Sequence, residues 1–203
     1  MHQRSNEWYA ARRAKFTASE NHKLCNPKGL GETGMTYIRS KIAEHFGAYE
    51  EESFAKSMQW GIDYEQEAAD CFTSYSFLDI CEVGFLEDKD FPEVGCSPDR
   101  IVKNQNKGVE IKCPYVPANH IENLMLKTAD DLKKVHKEYY WQIMTCLLVT
   151  GCESWYFVSY HPKFSDDHRI KVLEIFRNES DILFLKNRIN EAIALKQEII
   201  NSI

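Results

Sequence analysis

The sequence has no apolar run approaching the roughly 18 residues that cross a bilayer, so no membrane span is expected. Its opening stretch, Met1 to Lys15, is polar and charged and does not read as a secretory signal. The expected compartment is therefore the cytoplasm. None of the 7 cysteines pairs at C-x-x-C spacing, and none follows Cys152. An odd count at irregular intervals argues against a disulfide framework, and most of these thiols are expected as small core residues in a reducing environment. An excess of positive charge is also missing, because the formal net charge is −6. This argues against a basic protein that coats nucleic acid, though basic groups confined to one channel remain compatible with it. Internal repeats and low-complexity linkers are absent as well.

What is present suits one domain. The chain has 203 residues, 43% hydrophobic and 12% aromatic, enough for a sizeable core. Ser5 is expected to cap a helix running to about Lys15, and Thr33 to start a second, Met35 to Phe46, closed by Gly47. A third helix is expected from Ser53 to Tyr75. The period then shortens: Ile80 to Leu86 reads as a strand, Pro92 and Gly95 as a turn. Arg100 to Lys103 and Gly108 to Lys112 read as a hairpin turning at 104–107. Two helices are expected at Ala118–Lys127 and Ala129–Val149, with Gly151 as terminator. Strands follow at Trp155–Tyr160 and Arg169–Phe176. An amphipathic helix, Ser180 to Ile200, closes the chain. The pattern predicts an α/β or α+β sandwich around a small mixed sheet.

The informative segment is Gly95-Cys-Ser-Pro-Asp-Arg followed by Val109-Glu-Ile-Lys-Cys-Pro. Glu110 and Lys112 stand two apart on a strand and share a face, while Ile111 points the other way into the core. The hairpin is expected to bring Asp99 beside Glu110. Two carboxylates and an amine then converge at a sheet edge. Hard oxygen ligands of this kind hold Mg²⁺, and such ions clamp a phosphodiester and activate water. Lys112 would orient that water or neutralise developing charge, and the Ile111 carbonyl could add a ligand. Taken singly, a Glu-x-Lys strand is most often a solvated face, and Asp99 after Pro98 a turn residue. The joint pattern carries the inference.

Ser97-Pro-Asp99 and Glu110-Ile-Lys112-Cys-Pro together resemble the PD-(D/E)xK nuclease core. More narrowly, they resemble the lambda-phage exonuclease, or YqaJ-type viral recombinase, family. Trp8 with Arg12 and Thr17-Ala-Ser19, then Trp60-Gly61 with Tyr64-Glu65, are similar to two further motifs of that family. Tyr139 and Gln142 ending at Val149-Thr-Gly, and Trp155-Tyr-Phe with Tyr160 and Pro162, extend the match from Trp8 to Pro162 in the family's order.

The resemblance implies a restriction-endonuclease-like core in a single nuclease domain over 1–203. Its parts would be N-terminal helices at 1–50, a catalytic core at 53–160, and a C-terminal strand and helix at 165–203. It implies Asp99 and Glu110 as metal ligands, with Ile111 contributing through its backbone. Lys112 would be the catalytic lysine, and Glu65 an added acid at the metal site, reaching in from the third helix. Arg12, Ser19, Ser97 and Gln142 would hold a DNA 5′-phosphate, as charge-assisted forks, hydroxyls and amides can. Met58 falls where the family places a wedge against the terminal base pair, although a core methionine is the plainer reading. The implied activity is Mg²⁺-dependent 5′→3′ exonuclease action on double-stranded DNA, with Mn²⁺ able to substitute. The products would be 5′-mononucleotides, made for recombination by single-strand annealing. The implied assembly is a homotrimer working with a single-strand annealing protein in a bacterial host cell.

Some features depart from the pattern. Met144 stands where a second glutamine is frequent, and Arg100 where a small residue is. Arg100 would touch DNA or pair with an acid. Other readings of the same core are an endonuclease, a 3′-end nuclease or a non-catalytic DNA-end-binding module. An iron–sulfur nuclease would need a C-terminal cysteine cluster that this sequence lacks.

Overall fold

The structure is a computed structural model, and it describes residues 2–48 and 55–203. Strand β2 (Ile80–Cys81) pairs with β5 (Arg100–Val102), which forms an antiparallel hairpin with β6 (Lys107–Lys112). Strand β6 then runs parallel to β7 (Ser154–Tyr160), and β7 pairs antiparallel with β8 (Ile170–Phe176). A smaller sheet has the order β1 (Phe16–Thr17), β4 (Val94–Cys96), β3 (Leu86–Glu87), with β1 and β4 parallel.

A parallel β6–β7 pair requires a crossover, because no tight turn can reverse the chain twice. Helices α4 (Pro117–Met125), α5 (Ala129–Val135) and α6 (Lys137–Thr150) supply it. The sheet is covered on both faces, so its central strands are apolar on both. On one side Val109, Ile111 and Val158 pack with Ala68, Ala69 and Phe72 of α3 (Lys56–Ser76). On the other, Trp155, Phe157 and Ile175 pack with Ile143 and Leu147 of α6. Behind α6 lie α2 (Gly31–His45) and α7 (Glu179–Ser202), through Ile38, Ile42, Leu185 and Ile189. This is the mixed α/β sandwich the sequence predicts.

Several boundaries differ from expectation. Helix α1 (Asn6–Arg12) is capped by the Ser5 side chain, as expected, but stops short of Lys15. Ala14 takes a φ of 60°, and its N–H donates to Glu44 Oε2 instead of continuing the helix. Helix α2 starts at Gly31, so Thr33 lies inside its first turn, while Gly47 at φ 89° does follow its end. Ser53, the expected start of the third helix, falls outside the described residues. The expected strand Ile80–Leu86 is two strands in two different sheets. The expected helix Ala129–Val149 breaks at His136, whose φ of −129° and ψ of 72° leave the helical region. Gly95, expected in a turn, lies in strand β4, and the sequence predicts no strand at β1. Of the 7 cysteines none is disulfide-bonded, and Cys25, Cys96, Cys146 and Cys152 are buried. Among the described residues no helix is long and apolar enough to cross a membrane.

Candidate active site

Strand β6, helices α1, α3, α4 and α6 and the segment before α1 line a cleft of about 600 Å³. Its floor is the C-terminal half of β6. Alternation on that strand sends Ile111 toward α3 and turns Glu110 and Lys112 toward α6. Glu110 is 1% exposed and sits between two partners. Its Oε1 accepts from Gln142 Nε2 at 2.6 Å and lies 2.7 Å from the Lys112 ammonium. Its other oxygen, Oε2, is buried with no hydrogen-bond partner.

Asp99 arrives at the end of the β4–β5 connection, and its Oδ2 accepts the Ile111 N–H at 2.6 Å. This bond ties the acid to the strand that carries Glu110. Burial, then the charges of Glu110 and Glu65, push the Asp99 carboxyl well above the usual carboxylate range. Lys112 shows the converse. Burial works to lower its pKa, but the charges of Glu110 and Asp99 overcome this and raise it. Its ammonium also donates to Gln142 Oε1 at 3.1 Å and lies 4.7 Å from the centre of the Tyr139 ring.

Glu65 on α3 lines the same cleft but is held from two sides. Its Oε1 takes Arg100 Nη1 at 3.0 Å, and its Oε2 takes Arg4 Nη2 at 2.8 Å. Arg100 is buried and also donates to the Asp99 carbonyl and to Gln66. It thus pairs with an acid, one of the two roles expected of it. The sequence reading missed Arg4, and no local motif marks it.

The residues expected at a DNA 5′-phosphate do not all meet. Arg12 stacks 4.1 Å over the Trp8 ring, and both donate to Ser97 Oγ, at 3.2 and 2.9 Å. Continuing the parallel β1–β4 register sets Ser19 level with Ser97. Gln142 is engaged elsewhere, with Glu110 and Lys112 at the two ends of its amide. Met58 lines the cleft and is 43% exposed, which excludes the core alternative.

These residues fit a hard divalent cation. The fit rests on two desolvated carboxylates, one with an unpartnered oxygen and the other crowded by the charges of Glu110 and Glu65. Among the described residues no group of three His, Cys, Asp or Glu side chains could hold a metal. Asp99, Glu110 and the Ile111 carbonyl would be the protein's share, with Glu65 joining them where its arginines release it and water completing the shell, as Mg²⁺ commonly prefers.

The fold matches that of the alkaline exonuclease LHK-Exo from Laribacter hongkongensis. The identity is 26% and the TM-score 0.85, covering 98% of this chain and 95% of that one. The same exonuclease in complex with dAMP matches with a TM-score of 0.84 over the same extent. A phage-related exonuclease from Haemophilus somnus 129PT shares the fold at 18% identity and a TM-score of 0.76, over 93% of this chain and 96% of that one. No curated protein sequence matches the chain. The model of the YqaJ-like viral recombinase domain matches residues 7–153, a span that includes α1, the β5–β6 hairpin and the glutamine-bearing helix α6. The chain belongs to the YqaJ-like viral recombinase domain family.

Proposed function

We propose that the protein is a Mg²⁺-dependent 5′→3′ exonuclease of double-stranded DNA that releases 5′-mononucleotides, with Mn²⁺ able to replace Mg²⁺. The observation that carries this reading is the floor of the cleft. Asp99, Glu110 and Lys112 converge there, and a buried Glu110 oxygen lacks any partner. The overall likeness to an exonuclease that has been solved with dAMP supports it.

In this reading each side chain has a physical task. A bound divalent ion would polarise the scissile phosphate and lower the pKa of water. Lys112, kept protonated by its two acidic neighbours, supplies fixed positive charge where negative charge builds on the phosphate. Gln142 holds Glu110 and Lys112 at a set separation. Arg12 and Ser97, braced by Trp8, give a charged donor and a hydroxyl for the terminal 5′-phosphate, with Ser19 beside them. Glu65 is the reserve acid of the site, and Met58 at the rim is the wedge against the last base pair. A homotrimeric ring, a single-strand annealing partner, a role in recombination and a cytoplasmic setting in a bacterial host belong to the same proposal. They rest on the family alone.

The test uses linear duplex DNA with a 5′-phosphate or a 5′-hydroxyl, a closed circle, Mg²⁺, and the Lys112→Ala protein in parallel. The expected result is mononucleotide release from the phosphorylated linear duplex, falling by at least about a hundredfold in Lys112→Ala. Cutting of the circle would move the function to an endonuclease. Tight end binding without cleavage in Mg²⁺ or Mn²⁺ would leave only a binding module.

A further inference from the structure

The segment before α1 is built as a strap over the cleft. Gln3 Nε2 donates to the Pro98 carbonyl at 2.8 Å, one residue from Asp99. Ser5 N donates to the His2 carbonyl, closing a tight turn. Arg4, inside that turn, adopts a φ of 65°, a left-handed conformation that costs any residue but glycine. Its guanidinium then reaches across the cleft to Glu65 Oε2. An exposed ion pair contributes less than such a backbone conformation costs, so stability alone gives no reason for an arginine here.

The charges around the cleft give one. Three acids, Asp99, Glu110 and Glu65, face three bases, Arg4, Arg100 and Lys112, and Glu65 is held by two of those bases at once. With a divalent cation bound and the three acids ionised, positive charge is in surplus, and a backbone phosphate of DNA, with its single negative charge, offsets part of it if one of these cations is free to turn toward it. The side chain of Arg100 is 6% exposed and has four partners, and that of Lys112 is 23% exposed. That of Arg4 is 41% exposed and lies at the cleft's edge.

We infer that Arg4 is an exchangeable counter-cation that neutralises Glu65 in the empty site and grips a backbone phosphate of the bound strand once a divalent ion is in place. This inference rests on the nuclease reading of the cleft. It assigns a substrate-binding role to a residue outside the motifs that carry the family resemblance. It also explains why a strained turn carries a charged side chain.

Arg4→Gly is the informative variant, because glycine keeps the left-handed turn while removing the side chain and its charge. Calorimetry with Mn²⁺ and no DNA should show several-fold tighter metal binding, since Arg4 no longer competes for Glu65. Anisotropy with a labelled duplex end in Ca²⁺ should show about tenfold weaker binding, the effect of one lost charge-assisted contact. The slope of log K against log salt should become shallower by about 0.9. Arg4→Lys should restore most of the DNA affinity. A strut that merely shapes the site would lower both affinities together. Both shifts are required, and the absence of either overturns the inference. If wild-type protein cleaves the duplex while Arg4→Gly leaves both affinities unchanged, only the role of Arg4 falls. If wild-type protein neither binds nor cuts DNA, the nuclease reading falls with it.

Discussion

Glu110 has one oxygen engaged twice and another not engaged at all, and this asymmetry is what Gln142 creates. The amide donates to Oε1 through its nitrogen and accepts from Lys112 through its oxygen, so it fixes both charged groups at once. A ligand's orienting partner commonly matters about ten- to a hundredfold in metal affinity or activity. For Gln142→Ala we therefore expect kcat to fall by about that factor and the Mg²⁺ concentration for half-maximal rate to rise. The preference for a 5′-phosphate over a 5′-hydroxyl should survive. Arg12→Ala should behave in the opposite way, losing the end preference while keeping the Mg²⁺ requirement. Comparing both variants on the two substrates across a Mg²⁺ titration checks this. Loss of end preference in Gln142→Ala would return the glutamine to the phosphate pocket. The resemblance of Tyr139, Gln142 and Val149-Thr-Gly to a family motif made Gln142 visible as a site residue. It could not show which group the amide serves, because that depends on how α6 lies against β6.

At the scale of elements, two glycines near the cleft should respond oppositely to the same change. A Cβ on Gly108 of β6 would stand 2.3 Å from the Trp155 ring on the neighbouring strand. That ring is fully buried between sheet and helices and has nowhere to go. Gly108→Ala should destabilise the fold by about 1–3 kcal/mol, the usual effect of overpacking. Gly61, inside α3, has open space where its Cβ would be. Gly61→Ala should stabilise by about 0.5–1 kcal/mol through helix propensity. Urea unfolding midpoints of both variants decide the matter, and equal shifts would refute the packing argument. The same pair shows what the sequence could tell. Long periodic elements such as α3, α7 and the β5–β6 hairpin were legible, because their own apolar spacing specifies them. Strands of two or three residues were not. Phe16 and Thr17 become a strand only because Val94 and Gly95 lie beside them. Ile80 and Leu86, close in sequence, part because one pairs with Val102 and the other with Cys96. The break at His136 is equally non-local. Lys133 on α5 and Tyr140 on α6 both bind Asp181 of α7, a residue far along the chain.

Across the whole molecule, a buried polar cluster fastens the crossover helices to the sheet, and it should set the acid limit of stability. His120 on α4 is fully buried. A carbonyl can only accept, so His120 Nε2–H donates to the His168 carbonyl, and Nδ1 accepts from the Ser159 hydroxyl on β7. His161, at the end of β7, lies under Trp60 of α3, and its Nδ1 accepts the Lys163 N–H. These contacts join α3, α4, β7 and the 161–168 connection beside the cleft. Both rings are held neutral: burial lowers the pKa of each below the ordinary 6.5, and for His161 the neighbouring His120 and Lys163 add to it. The sign follows from linkage. Below 6.5 the unfolded chain takes up protons that the folded chain refuses, so stability is full above that value and falls as pH drops toward the folded pKa values. The melting temperature should therefore decline by several degrees between pH 7 and pH 5.5, before most carboxylates titrate. His161→Phe, which keeps the ring packing under Trp60 and removes one titrating group, should flatten part of that decline. A wild-type melting temperature that stays level to pH 5.5, or a variant whose profile runs parallel to the wild type, would show that these imidazoles carry no such linkage.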